Sequence, residues 1–306
     1  MRVVASTLWY PPHRYIGSEL MTHQMLTRLV RRGHDVTVVT KDPVEPYTWG
    51  GINVTDGPAP AGDILIYHVD YGHLASEWRG PKVGIAHNSR LQVQIGVRNT
   101  TPNILTVNSL NTSKEVPYHG KKMVVHPPVT VPDEQPAYID RYCITLINLE
   151  STSKVGPFWE VAASLPDYQF LGVKGGYGEQ AIPDRLPPNV EILDQLPPSK
   201  MREVWDRTSI LLVPSASESW SMVASEAMAH STPVIANCLP GLWENLRGVA
   251  EWAERDDPRQ WVNAIKRIND AWDDYSQAAL TRAKKQEATF DLEVEQWCDA
   301  LEKLCR

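Results

Sequence analysis

The chain has 306 residues, a formal net charge of −7, and 42% hydrophobic against 22% charged residues. That length suffices for two domains with separate cores, and the balance is that of a globular protein. No apolar run is long enough to span a bilayer, and the first 15 residues lack the apolar core and cleavage site of a secretory signal, so a soluble, cytoplasmic protein with no integral membrane segment is expected.

The charge is uneven. Residues 1–140 carry 13 Lys and Arg against 12 Asp and Glu, whereas 141–306 carry 17 against 25. Eight of the nine His lie in the first half, His230 being the exception. The two halves are expected to do different jobs. The four Cys, at 143, 238, 298 and 305, form no Cys-x-x-Cys pair and have no metal-ligand spacing, so they read as thiols of a reducing compartment.

In chain order, "RVVAST" predicts a first strand. A loop with two Pro and a Gly follows, then an apolar stripe (Leu20, Met21, Met25, Leu26, Leu29, Val30) predicts a helix that ends in basic residues at Gly33. "DVTVVT" is the next strand, so the chain opens as a parallel α/β sheet. Short apolar runs at 63–70, 82–88, 104–109 and 122–129 repeat the strand pattern. Their polar ends (His68, Asp70, His87, Asn88, Asn108, Ser109, His126) fall where ligands bind in open parallel sheets. Arg28, Arg31 and Arg32 suggest a basic helix face for a phosphate-bearing acceptor. The alternative is a solvated helix end that favours the C-terminal dipole.

The Pro-rich stretch 127–138 reads as a linker. A second strand–helix series follows: "YCITLINL", "GPFWEVAASLP", "YQFLGV", "NVEILDQLP", "SKMREVWDRT", "SILLVPS", a helix within 215–231, "TPVIAN", and acidic, Trp-containing helices to the end. The expected division is 1–130, a linker at 131–140, 141–288, and a C-terminal helix at 289–306.

"VPSASESWSMVASEAMA" is strand, Ser-rich turn, helix. The first amides of a helix have no internal partner and sit at the positive end of its dipole, so those near Ser221, Met222 and Val223 could meet a diphosphate. Glu226, inside the helix, could accept hydrogen bonds from vicinal hydroxyls, with Glu218 on the turn facing what projects beyond the phosphates. On spacing alone, Glu218 as an acidic helix cap and Glu226 as a solvent-facing residue fit as well.

The stretch from Pro214 to Ala236, with Glu218 and Glu226 separated by seven residues and then Ala227-Met228-Ala229 and Thr232-Pro233-Val234-Ile235-Ala236, closely resembles the signature of retaining GT-B glycosyltransferases of glycosyltransferase family four, the glycosyl transferases group one. Ile16-Gly17-Ser18-Glu19 resembles the family's N-terminal loop with one Gly replaced. Lys154-Val155-Gly156 matches its basic residue beside the donor diphosphate, and Asn148 stands near where many members have an Arg. Ser219-Trp220-Ser221 departs from the family's Gly-aromatic-Gly.

The resemblance implies two Rossmann-like domains with parallel sheets facing across a cleft, and a C-terminal helix crossing back to the first. It implies metal-independent transfer from a UDP- or GDP-linked sugar as donor substrate, with no further cofactor. Gly17 would approach the donor and Lys154 would stabilise the leaving diphosphate. Glu226 would hold ribose hydroxyls, Glu218 sugar hydroxyls, and His87 would face the donor sugar. Lys174, in a Gly-rich turn, is a further donor-binding candidate. The acceptor stays open: glycan, lipid, small molecule or a modified DNA base. The other function classes are a nucleotide-sugar epimerase using His68 and Asp70, which would isomerise the sugar without acceptor, and a non-catalytic sugar-nucleotide binding module.

Overall fold

A computed structural model describes residues 1–135 and 141–306. It divides into two compact units, Met1–Pro128 with Ala288–Arg306, and Val129–Glu287. The expected linker at 131–140 falls partly on 136–140, which lie outside the described residues.

The first unit runs β1 (Arg2–Thr7), α1 (Gly17–Arg31), β2 (Asp35–Thr40), β3 (Tyr47–Trp49), β4 (Ile52–Thr55), β5 (Ile64–His68), β6 (Lys82–Ala86), α2 (Leu91–Thr100), β7 (Ile104–Val107), α3 (Leu110–Glu115) and β8 (Lys121–Val124). The strands form one eight-stranded sheet in the order β3-β4-β2-β1-β5-β6-β7-β8. Only β3 runs antiparallel to its neighbour. This edge hairpin was not expected from the sequence. Its turn, Gly50-Gly51, takes positive φ at both residues (58° and 79°), the backbone that a tight hairpin requires and that glycine supplies at no steric cost. The stripe of α1 buries Met21, Met25, Leu26 and Leu29, as its period predicts.

The second unit runs β9 (Cys143–Ile147), α4 (Phe158–Ser164), β10 (Gln169–Val173), β11 (Val190–Leu193), α5 (Met201–Arg207), β12 (Thr208–Val213), α6 (Met222–Ala229), β13 (Val234–Ala236), α7 (Pro240–Leu246), β14 (Glu251–Trp252), α8 (Pro258–Asp270) and α9 (Trp272–Leu304). Its six strands are all parallel, in the order β11-β10-β9-β12-β13-β14. One face buries Phe158, Phe170 and Trp261 with α4 and α8, and the other buries Trp205, Leu211 and Met228 with α5 and α6.

Helix α9 spans 33 residues, and its end from Ala288 onward belongs to the first unit. There Trp297 is fully buried and its Nε1 donates to Thr106 Oγ1 at 2.9 Å. The His126 amide donates to Glu293 at 2.8 Å. Arg32 reaches Glu295, Asp299 (2.8 Å) and Glu302 (3.1 Å), and Arg28 pairs with Asp291. The basic face suggested by Arg28, Arg31 and Arg32 is therefore largely an internal device: the charges of Arg28 and Arg32 are matched by acids more than 250 positions away in the chain. Among the described residues, no helix is long and apolar enough to cross a membrane.

Candidate active site

In the second unit the strand order reverses at β9, with β10 on one side and β12 on the other. The chains leaving β9 and β12 enter helices on opposite faces of the sheet, α4 and α6. A crevice opens between two such loops, and this is where open α/β sheets take ligands.

The loop after β9 begins at Asn148, a non-glycine residue at φ 72°, whose Oδ1 accepts from the Glu150 amide at 3.2 Å. Glu150 organises the next turn. Its carboxylate accepts from the amides of Thr152 (3.0 Å) and Ser153 (2.8 Å) and from both hydroxyls. Burial alone would raise its pKa, but these four hydrogen bonds outweigh that and hold it down at about 2. The Glu150 carbonyl accepts from the Lys154 amide at 3.2 Å, so the same residue sets the start of Lys154. Glu150 was not singled out from the sequence. The available signal was a carboxylate directly followed by Ser-Thr-Ser, side chains that readily bond a nearby acid.

The loop after β12 is tied to the first one. The Ala216 amide donates to the Ser153 carbonyl at 2.7 Å. Asn237 Nδ2 holds the Ser215 carbonyl at 2.9 Å, and Arg255 Nε holds that of Pro214 at 3.0 Å. Gly156, at φ 48°, lies so close that a Cβ there would come within 2.6 Å of Pro214 Cβ. This frame brings Lys154 and Glu218 together in a close ion pair, with each side chain about 15% exposed. Ser215 Oγ accepts from Lys154 Nζ and donates to Glu218 Oε1, both at 3.3 Å.

Between Glu218 and α6 the structure shows what serine in place of the resembled glycine entails. Trp220 is buried and its Nε1 donates to Ser225 Oγ at 3.1 Å. Asn245 of α7 donates to the carbonyls of Trp220 (2.7 Å) and Ser221 (3.0 Å). Ser221 sits at φ 75°, where glycine costs nothing and serine is strained. It is the N-cap of α6, its Oγ accepting from the Ala224 amide at 3.4 Å, so Glu218 is not the cap. Ser221→Gly is expected to raise stability by about 1 kcal/mol, because relief of a positive-φ side chain exceeds the few tenths lost with a weak cap. Ser221→Ala keeps the strain, loses the cap, and should cost about 1 kcal/mol. Urea midpoints of the two variants moving in the same direction would contradict this.

Among the described residues, no group accepts from the Met222 and Val223 amides, so two N–H donors are left at the positive end of α6. One turn on, Glu226 is half-buried and no described side chain pairs with its carboxyl. Burial pushes its pKa up to about 7. Because this folded value lies above the ordinary 4.5, its stability contribution is whole below about pH 4.5 and is lost as pH rises to about 7. Glu226→Gln is therefore expected to be more stable than the parent at pH 8, by up to about 3 kcal/mol, and to match it near pH 4.5. Urea denaturation at the two pH values measures the difference, and a pH-independent gap would refute it.

Lys174 is not drawn into this group. It pairs with Asp194 at 2.8 Å where β10 and β11 end, and both side chains are well exposed. Gly17 and His87 belong to the first unit, Gly17 as the first residue of α1 and His87 just beyond β6. There His87 Nε2 lies 3.1 Å from His68 Nε2, and Asn108 Nδ2 donates to the His87 carbonyl at 2.8 Å. Burial lowers the His87 pKa to about 4. Among the described residues, no cluster of His, Cys, Asp or Glu is placed to hold a metal ion.

Residues 161–270 match the family model of glycosyl transferases group 1. Along its whole length the chain folds like a sucrose-phosphate synthase from Thermosynechococcus elongatus, with a TM-score of 0.80 and 15% identity over 99% of this chain and 98% of that one. It folds similarly to Anabaena Alr3699/HepE in complex with UDP-glucose, with a TM-score of 0.75 and 14% identity over 99% of each chain. The chain is a GT-B-fold protein that resembles the group 1 glycosyltransferases. Over 119 residues it is 33% identical to a D-inositol 3-phosphate glycosyltransferase of Corynebacterium diphtheriae, a match covering 38% of this chain and only 26% of that relative. The group 1 match runs from α4 to α8. It includes Glu218, the start of α6 and Glu226, while Lys154 and the whole first unit lie outside it.

Proposed function

We propose that this protein is a retaining glycosyltransferase that moves a sugar from a nucleoside-diphosphate donor to a hydroxyl acceptor. The observation that carries the reading is the meeting of Lys154, Glu218 and the open start of α6 at the β9/β12 crevice. A diphosphate there meets one ammonium and two free amides at a helix N-terminus. Its negative charge grows as the glycosidic bond breaks, so these fixed donors act most strongly at the transition state. Insertion of the diphosphate draws Lys154 away from Glu218, and the released carboxylate becomes an acceptor for sugar hydroxyls. Glu226, half-buried and close to neutral pH in its titration, takes ribose hydroxyls when ionised. Donor binding should therefore tighten as pH rises through 7, the reverse of its effect on stability. This reading invokes no fixed nucleophile: the donor phosphate takes the proton of the incoming hydroxyl.

UDP- and GDP-linked sugars are the donors to test first. A true donor at one hundred times its Kd stabilises the fold by about 2.7 kcal/mol, a shift of several degrees in Tm. The shift should shrink in Lys154→Ala and Glu226→Ala. If no nucleotide sugar moves the midpoint, the reading fails. Acceptor candidates remain glycan, lipid, small molecule and DNA, and the internal pairing of Arg28 and Arg32 weighs against α1 as a phosphate-binding face.

A further inference from the structure

A surface helix is apolar on the side that meets its core and polar on the other. Helix α2 breaks this rule. Its inward face is fixed twice over: Val93, Val97 and Thr100 are buried, and Gly96 lies so close to Val69 that a Cβ there would come within 1.9 Å of the Val69 carbonyl oxygen. On the opposite side Leu91 and Ile95, at i and i+4, are 66% and 45% exposed, and Arg98, at i+7, continues the same ridge into solvent. Helix α3 repeats the arrangement in a single turn, with Leu110 53% exposed and Lys114, at i+4, exposed on the same side.

The two ridges belong to one face of the first unit. Helices α2 and α3 follow the neighbouring parallel strands β6 and β7. Val93 and Val97 of α2 share one core with Val116, at the C-cap of α3, and with Leu105 and Val107 of β7. Ser89, just before α2, donates to Glu115 at the end of α3, and Asn108 Nδ2, just before α3, donates to the His87 carbonyl at 2.8 Å. Among the described residues of the first unit, Trp49, Leu91, Ile95, Leu110 and Leu292 are the exposed large apolar residues, so three of the five fall on these two helices.

The charge around them is one-sided. From Lys82 to Val124, the span from β6 to β8, the chain carries six Lys and Arg against one acid, Glu115, in a protein of net charge −7. Lys82 and Lys122 donate to backbone carbonyls, and Arg90 faces Asp70. Arg98 and Lys114 stand on the exposed ridges themselves.

We propose that the outer face of α2 and α3 docks on an anionic lipid surface, with Leu91, Ile95 and Leu110 entering the acyl boundary and Arg98 and Lys114 meeting phosphate head groups. The chemistry selects this occupant. Aliphatic side chains gain from transfer into hydrocarbon, and cations beside them gain from an anionic head-group layer. Leucine and isoleucine have no π-face on which nucleic-acid bases could stack. A second copy of this chain, docked face to face, would set like charges against each other. With three aliphatic residues the contact is peripheral and reversible, and it does not rest on the transferase reading.

Flotation of the full chain with vesicles tests the proposal. Binding is expected to phosphatidylcholine vesicles containing about a third phosphatidylglycerol. It should weaken by about 10-fold or more on phosphatidylcholine alone, and should fall as salt rises. Leu91→Gln combined with Ile95→Gln should lower the partition coefficient about 10-fold or more. Arg98→Ala combined with Lys114→Ala should lower it about 30-fold, and only on the anionic vesicles. Arg259→Ala, which removes an exposed cation of the second unit, should leave it unchanged. All these side chains are exposed, so urea midpoints should stay near that of the parent and separate lost docking from lost folding. Three results overturn the inference: no binding of the parent to the anionic vesicles at low salt, unchanged binding in Leu91→Gln with Ile95→Gln, or a dimer in sedimentation equilibrium that this pair of substitutions dissolves.

Discussion

Lys154→Ala is expected to lower kcat/KM for sugar transfer by about 10²–10³-fold, the usual loss when one fixed donor to a developing negative charge is removed. In the proposed transfer the diphosphate gains charge only as the bond to the sugar breaks, so the loss should fall mainly on kcat, with KM for the donor changing less. The substitution also leaves Glu218 with Ser215 as its remaining polar neighbour in a site where both ionic side chains are about 15% exposed. Some stability will be lost with the pair, because a partly buried charge left without its counter-ion is costly. Glu218→Gln separates the two effects. It also breaks the pair but leaves the ammonium in place, so it should retain more turnover than Lys154→Ala. Steady-state rates with the donor identified by thermal shift provide the measurement, and a Lys154→Ala enzyme with parental kcat would exclude Lys154 from leaving-group stabilisation.

The second large effect is on the fold. Trp297→Ala should cost about 3–5 kcal/mol, the range for truncating a buried aromatic residue. Trp297 is fully buried, and its loss also deprives Thr106, itself fully buried on β7, of its indole partner. Against a typical total of about 5–15 kcal/mol this is a large share of the stability. Arg32→Ala, at the end of α1 where it meets the same part of α9, breaks three ion pairs at once but should cost only about 1 kcal/mol. Its partners are between 27% and 67% exposed, where water and salt screen the attraction. Urea denaturation followed by tryptophan fluorescence and circular dichroism ranks the two. A larger loss in Arg32→Ala would mean that ion pairing, and not apolar burial, holds the end of α9.

The candidate site shows where sequence and three-dimensional structure each carry the information. Glu218, Glu226 and the start of α6 stand together in the sequence because they lie within one strand–turn–helix segment, but spacing alone fits a helix cap as well, and the resemblance to the group 1 signature is what marks them as a site. Lys154 is marked only by the resemblance of Lys154-Val155-Gly156, since a lone lysine carries no such signal. Glu150 escaped notice because its role lies in hydrogen bonds to the next turn, which any surface glutamate could equally lack. Ser221 stands out in the sequence as a departure from glycine, but its cost, a side chain on a backbone at φ 75° clamped by Asn245, depends on a contact from α7. The β3–β4 hairpin carried a signal in Gly50-Gly51 that went unread. Arg28 and Arg32 suggested an external partner because their acids lie near the far end of the chain.

Sequence by itself determined the alternation of strand and helix, the two parallel sheets, the C-terminal helix and the segment with Glu218 and Glu226. These follow from local periodicity, turn chemistry and spacing, which act over a few residues. Only the tertiary structure decided which charges cancel one another, and which carboxyls titrate near neutrality. Arg32 is matched by α9, Lys154 by Glu218, and burial moves Glu19 and Glu226 to about 7 while hydrogen bonds hold Glu150 at about 2. The reason is physical: the energy of a charge depends on the water excluded around it and on the partners brought beside it, and both are properties of the packed chain.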